Sequence, residues 1–159
     1  MSNAREAQWS PLPKNGFKLN FDAAIFEDLN ALGFGAVISN KEGEVMAALA
    51  ARGPPVSDSE EVKVLACRKA LEFAVDARFT ELIIEGDNES VMQTISSSQP
   101  NRSRLGHLYG DIQCLCTSLQ VVSVGWVSRT ANGVAHCLVK FARGLVHEIV
   151  WLEDPLPLR

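Results

Sequence analysis

The sequence predicts an α/β domain in which a mixed five-stranded sheet carries helices on its faces. Two observations predict it. Three strand-like segments joined by turns come first, and helical and strand-like segments then alternate, giving the order β-β-β-α-β-α-β-α. Hairpins pair strands antiparallel, whereas a strand reached through a crossover helix joins in parallel, so the sheet is mixed. A chain of 159 residues suits one such domain with a single core.

Residues 1–15 hold Pro11 and Pro13 and read as an extended arm, with Trp9 packing on the domain as an anchor. Met1-Ser2-Asn3-Ala4 has the look of a remnant of an expression vector. The domain itself spans 16–148. Phe17, Leu19 and Phe21 alternate with Lys18, Asn20 and Asp22, the two-residue period of a half-buried strand. Residues 28–33 turn, and 34–39 form the second strand. Asn40-Lys41-Glu42-Gly43 is a hairpin turn leading to a third strand over 44–51.

Pro54 and Pro55 end this meander. Ser57, Asp58 or Ser59 caps a helix that reaches about Ala77, and Glu60 and Glu61 suit its positive end. Val64, Ala66, Cys67, Ala70, Leu71 and Ala74 recur along it at helical spacing. The fourth strand covers 81–85, centred on Leu82-Ile83-Ile84. A helix over 88–97 precedes a Ser-rich stretch with Pro100. Helix 105–119, strand 121–127 and a final helix over 131–147 complete the domain, and 149–159 is a tail. No segment repeats another.

A hydrophobic fraction of 47% and a charged fraction of 21% are ordinary for a globular domain. No apolar run approaches the roughly 20 residues that span a bilayer, and the polar start is no secretory leader. Cys67, Cys114, Cys116 and Cys137 all fall in helical segments and read as buried free thiols, which places the chain inside the cell, in nucleus or cytosol. The net charge of −4 argues against strong, indiscriminate attraction to nucleic acid, and any such binding should be modest and salt-sensitive.

Three segments carry chemistry: Phe21-Asp22-Ala23-Ala24, Glu85-Gly86-Asp87-Asn88-Glu89-Ser90 and Asn132-Gly133-Val134-Ala135-His136-Cys137-Leu138. Two of them end a strand with an aspartate, and the third opens a helix. Aspartates converging from separate strands suit hard divalent cations, which drive phosphodiester hydrolysis. A plainer reading of each stands beside this. Asp22 also suits a solvated strand end, and Asp87 the cap of a helix starting at Asn88.

The order of elements and the local wording resemble the plant ribonuclease H-like, or reverse-transcriptase-like, domains. The resemblance rests on Trp9 and Pro11, Lys18-Leu19-Asn20-Phe21-Asp22-Ala23-Ala24, Gly35-Ala36-Val37-Ile38 before Gly43, and Leu65-Ala66-Cys67-Arg68-Lys69-Ala70-Leu71. Val127-Ser128-Arg129 leading to Asn132 and Ala135-His136 completes it, so it runs from about Trp9 to Trp151. It implies a ribonuclease H-like fold and an endonuclease that uses magnesium or manganese to cut the RNA strand of RNA/DNA hybrids. Four acidic positions would hold the metal. Asp22 and Asp87 match two of them. Lys63, eight residues before Leu71, and His136, four after Asn132, stand at the others.

Lys63 is the decisive departure. Two aspartates, one lysine and one neutral histidine sum to −1, where four carboxylates would give about −4. The Lys63 ammonium either takes the place of a metal between Asp22 and Asp87 or snorkels to water. Glu60, one helical turn earlier, is the candidate substitute ligand. His136 resembles a variant common among the plant relatives; it either binds a metal and shuttles protons or lies at the cleft rim. His107 and His147 read as helix-surface residues. Lys14, Lys18, Arg102, Arg104 and Arg129, with Asn132, are the candidates for gripping nucleic acid.

Three functions follow as expectations. The first is a metal-dependent nuclease on RNA/DNA hybrids or RNA, with Asp22 and Asp87 as metal ligands. The second is a binding module that keeps the fold without the chemistry. The third is a protein-interaction domain that uses the tail around Trp151. A monomer with no membrane contact is expected in each case.

Overall fold

The computed structural model describes residues 5–6 (backbone alone), 16–56, 58–97, 100–101 and 103–153. Trp9, Lys14, Ser57, Arg102 and the tail beyond Glu153, all singled out from sequence, lie outside the described residues. The strands are β1 (Arg5–Glu6), β2 (Phe17–Phe26), β3 (Ala31–Ser39), β4 (Val45–Gly53), β5 (Leu82–Gly86), β6 (Ser123–Trp126) and β7 (Ile149–Leu152). The helices are α1 (Ser59–Asp76), α2 (Glu89–Ser96), α3 (Gly106–Ser118) and α4 (Gly133–Ala142).

Among the described residues the sheet has seven strands in the order β1-β6-β5-β2-β3-β4-β7. Its five central strands are the expected ones, and β2–β3–β4 form the antiparallel meander while β5 and β6 join in parallel. The expectation of five strands is corrected by two short edges. β1 pairs parallel with β6, and β7 pairs antiparallel with β4. Ile149-Val150-Trp151-Leu152 is an apolar, β-branched and aromatic run that pairs along the open edge of β4 while three of its side chains stay exposed, so part of the tail becomes a strand.

Other boundaries move for local reasons. β2 runs on to Phe26 and β3 starts at Ala31, because a 3-10 turn at Glu27–Leu29 with left-handed Asn30 (φ 49°) reverses the chain without a long loop. α4 stops at Ala142, five residues short of the expected end. Gly144 follows two residues on, where glycine disfavours helix. His147 therefore lies exposed beyond the helix. α1 is capped by Asp58, which accepts from the Glu60 amide.

Side chains alternate across a strand, and the register sorts the two faces. Leu19, Phe21, Leu32, Ile38 and Leu49 share one face and pack with Val64, Cys67 and Leu71 of α1 and Leu108 and Ile112 of α3. α4 packs on the other face, chiefly against β3. Gly35 makes that approach feasible: a Cβ there would lie 2.4 Å from the Ala135 carbonyl oxygen. Of the four cysteines, Cys67 is buried and Cys116 half-buried, whereas Cys114 and Cys137 are exposed, which corrects the expectation of four buried thiols. Cys114 and Cys137 lie on the outward sides of α3 and α4.

Candidate functional site

β2 and β5 run parallel and stop pairing at Asn20↔Glu85. Asp22 and Asp87 each lie two residues past that last pair, where the two strands part; Asp22 shares the face of Gly35, and Asp87 follows directly on β5. Asp22 is 1% exposed. The gap between the strands lets a side chain from α1, on the opposite face, reach through. Lys63 does so.

Its ammonium donates to Asp22 Oδ1 at 2.6 Å and to the Ala23 carbonyl at 2.9 Å, and stands 3.6 Å from Asp87 Oδ1. From the α4 side, His136 Nδ1 lies 3.0 Å from Asp22 Oδ2. An ionised carboxylate only accepts, so this imidazole nitrogen carries the proton and donates. Both oxygens of Asp22 are thus engaged. Burial pushes the Asp22 carboxyl up, but the Lys63 hydrogen bond and charge, the Ala23 amide and His136 outweigh it and hold the group below its ordinary value of 3.8. Asp87 is served less well. Its side chain is 7% exposed, and Oδ2 is buried without a hydrogen-bond partner among the described residues, with Arg129 Nε 3.9 Å away.

A second polar cluster holds the α4 end in place. Asn132 Nδ2 donates to the Phe21 carbonyl at 2.8 Å, and its Oδ1 accepts from Asn20 Nδ2 at 3.2 Å. The same Asn20 amide reaches Glu85 Oε1 at 3.1 Å, and Lys18 lies 3.6 Å from Glu85 Oε2. The His136 amide closes on the Asn132 carbonyl at 3.1 Å. Buried amides and carboxylates with every partner in place fix one geometry. This cluster joins β2 and β5 to the first turn of α4, the turn that delivers His136.

The structure brings together Asp22, Asp87, Lys63 and His136. It leaves other candidates elsewhere. Asn132 is 1% exposed and spends its amide inside the protein, which corrects its assignment to nucleic-acid contact. Arg104 is held by Asp58 at 2.6 Å and Glu61 at 3.2 Å beside the α1 cap. Glu60 accepts the Tyr109 hydroxyl at 2.8 Å and has no contact with either aspartate, because one helical turn displaces it by about 5 Å. Asp87 does not cap α2; Asn88 does, accepting from the Val91 amide at 2.9 Å. Asn20 and Glu85 were missed as site residues. Each stands two residues before a site aspartate, so the two-residue period of a strand already put them on the same face.

A divalent ion fits this arrangement poorly. Among the described residues, no group of three or more His, Cys, Asp or Glu side chains is placed to hold a metal ion. An ammonium about 4 Å from a divalent cation repels it by roughly 8 kcal/mol at an effective dielectric of 20. Lys63 already supplies the positive charge that Asp22 and Asp87 require.

A family model described as reverse transcriptase-like matches residues 20–142 of this chain. No curated protein matches it. Among solved structures, the chain is similar to RNase H1 from the halophilic archaeon Halobacterium salinarum NRC-1, with a TM-score of 0.71 at 21% identity, covering 80% of this chain and 97% of that one. It is also similar to the N-terminal RNase H domain of a Mycobacterium tuberculosis protein, with a TM-score of 0.70 at 21% identity over 81% of this chain and 94% of the other. LC11-RNase H1, crystallised with an RNA/DNA hybrid, gives a TM-score of 0.60 at 16% identity over 79% and 95%. These likenesses are of fold.

Proposed function

The chain belongs to the reverse transcriptase-like family, with a ribonuclease H-like fold, and from that premise we propose that it binds RNA/DNA hybrid or RNA without metal-dependent cleavage. One observation carries the reading: the Lys63 ammonium, 2.6 Å from Asp22 and 3.6 Å from Asp87, stands where the resemblance implies a cation. Support for nucleic acid as ligand comes from the hybrid bound to LC11-RNase H1 and from Arg129, whose side chain is 69% exposed at the edge of the same site. A guanidinium so placed suits phosphate. The resemblance to plant relatives and a reducing intracellular compartment for the free thiols belong to the same reading.

The test is anisotropy of a labelled hybrid without divalent ions, beside a cleavage assay with magnesium and manganese. Binding that weakens with salt, and no cleavage above an Asp22→Asn control, is the expected result. Metal-dependent cutting above that control, or no binding at low salt, overturns it. One observation favours the alternative of a metal-dependent endonuclease: Asp87 Oδ2 is a buried acceptor without a donor among the described residues. The cleavage arm decides between the two.

A further inference from the structure

The far end of α1 carries a surface with no part in the site above. Asp76 lies 13 residues beyond Lys63, roughly 20 Å along the helix axis at its usual rise. Between α1 and β7 lies a cleft of about 170 Å³. Its floor is apolar, with Leu49 and Phe73 buried and Val150 and Leu152 exposed by 44% and 48%. Its walls hold Glu72, Asp76 and Glu148. Lys69 answers Glu148 at 2.9 Å, whereas Glu72 and Asp76 have no ion-pair partner among the described residues.

β7 itself is an edge. It pairs with β4 on one side, and among the described residues no strand covers the other. The Glu153 amide donates to the Met46 carbonyl at 3.0 Å. Backbone groups alternate along a strand, so the amides and carbonyls of Val150 and Leu152 face the open side. The opposite face of β7 shows a different chemistry. Trp151, 40% exposed, meets Phe141 of α4, 50% exposed, in an edge-on contact at 5.5 Å.

We propose that β7 takes up an extended segment of a partner protein in which Lys or Arg alternates with apolar residues. Such a strand would complete the backbone hydrogen bonds of Val150 and Leu152. Its cationic side chains would meet Glu72 and Asp76 over the cleft, and its apolar ones would cover Trp151 and Phe141. Charge complementarity singles out this occupant. A second copy fits worse, since its β7 would bring another Glu148, and no cation, to the face that already holds Glu72 and Asp76.

A fluorescein-labelled Lys-Val alternating heptapeptide tests this by anisotropy, beside a Glu-Val control and a Lys-Val peptide N-methylated at alternate residues. Saturable binding of the first is expected, at least tenfold weaker for the control and the N-methylated form. Glu72→Lys with Asp76→Lys should weaken it at least tenfold. Glu27→Lys with Glu42→Lys, the same charge change elsewhere on the surface, should leave it within twofold. Equal binding of the Lys-Val and Glu-Val peptides, or equal loss in both double variants, overturns the proposal. So does failure of the peptide to bind, whether sedimentation shows a dimer holding the edge or removal of residues 154–159 restores binding.

Discussion

His136 Nδ1 approaches Asp22 Oδ2 at 3.0 Å from the α4 face, while Lys63 approaches Oδ1 at 2.6 Å from the α1 face. One buried carboxylate therefore ties together two helices that pack on opposite sides of the sheet. Its partners come from 41 and 114 residues away in sequence, so the contact exists only when both layers have docked. Stability and site geometry are the same property at this point.

Lys63→Met removes the charge that two buried aspartates share. Breaking a buried pair strands the remaining charge, and a loss of about 3 kcal/mol is expected. Adding Asp22→Asn to this variant should recover part of it, because the stranded charge is then gone. Urea unfolding of the four combinations gives the coupling directly. Equal stability of Lys63→Met and wild type would contradict the geometry.

Acid should act through Asp22. Its folded value lies below the ordinary 3.8, so the unfolded chain binds the proton more readily. The contribution is complete above about 3.8 and drains away as pH falls through the lower folded value. Unfolding midpoints measured from neutral pH downward should fall at the acid end, with a shallower fall in Asp22→Asn.

Lys63→Glu should turn the site from one that excludes divalent cations into one that attracts them. Millimolar magnesium is expected to leave the melting temperature of the wild type unchanged and to raise that of the variant, since a ligand of the folded state stabilises it by mass action. Identical responses would show that Lys63 does not govern metal entry.

Gly35→Ala should push α4 away from β3. The added carbon would lie 2.4 Å from the Ala135 carbonyl, a backbone atom that cannot turn aside. Overpacking of this kind costs about 1–3 kcal/mol. The displacement also carries His136 off Asp22, so the imidazole resonances of His136 in NMR should shift along with the lowered melting temperature.

Tyr109 is the one tyrosine in the chain, which makes its ionisation readable by ultraviolet absorbance. Burial, then the hydrogen bond it donates to Glu60 and the charge there, push its hydroxyl well above the ordinary 10. Its raised value contributes stability that is whole below about 10 and is lost as pH climbs toward the folded value. Tyrosinate absorbance should therefore appear only as the protein unfolds in alkali. A native-state titration near 10 would contradict the buried pairing with Glu60.

Much of the site was legible because strand period and segment wording are local. Asp87 follows the apolar run of β5, Asp22 falls on the polar side of the alternation in β2, and Lys63 and His136 fall at helix positions counted from Leu71 and Asn132. The polar cluster of Asn20, Glu85 and Asn132 was not, since its bonds span 65 and 112 residues and each member alone looks like a solvated polar group. The edge strands escaped for a similar reason. Four residues of apolar sequence become β7 only when β4 offers an open side, and two residues become β1 only beside β6. Glu60 shows the limit of helical spacing: the right face of α1 was identified, but Tyr109 from α3 had the stronger claim on its carboxylate.

The placement of β1 and β7 gives a means of watching the whole sheet at once. These outermost strands are separated by six interstrand steps, which at about 4.8 Å each sets them roughly 29 Å apart. Dyes attached beside them would sit within energy-transfer range across every other strand. Loss of any single pairing in between would change that span, so one ratio of emission intensities would report the integrity of all seven.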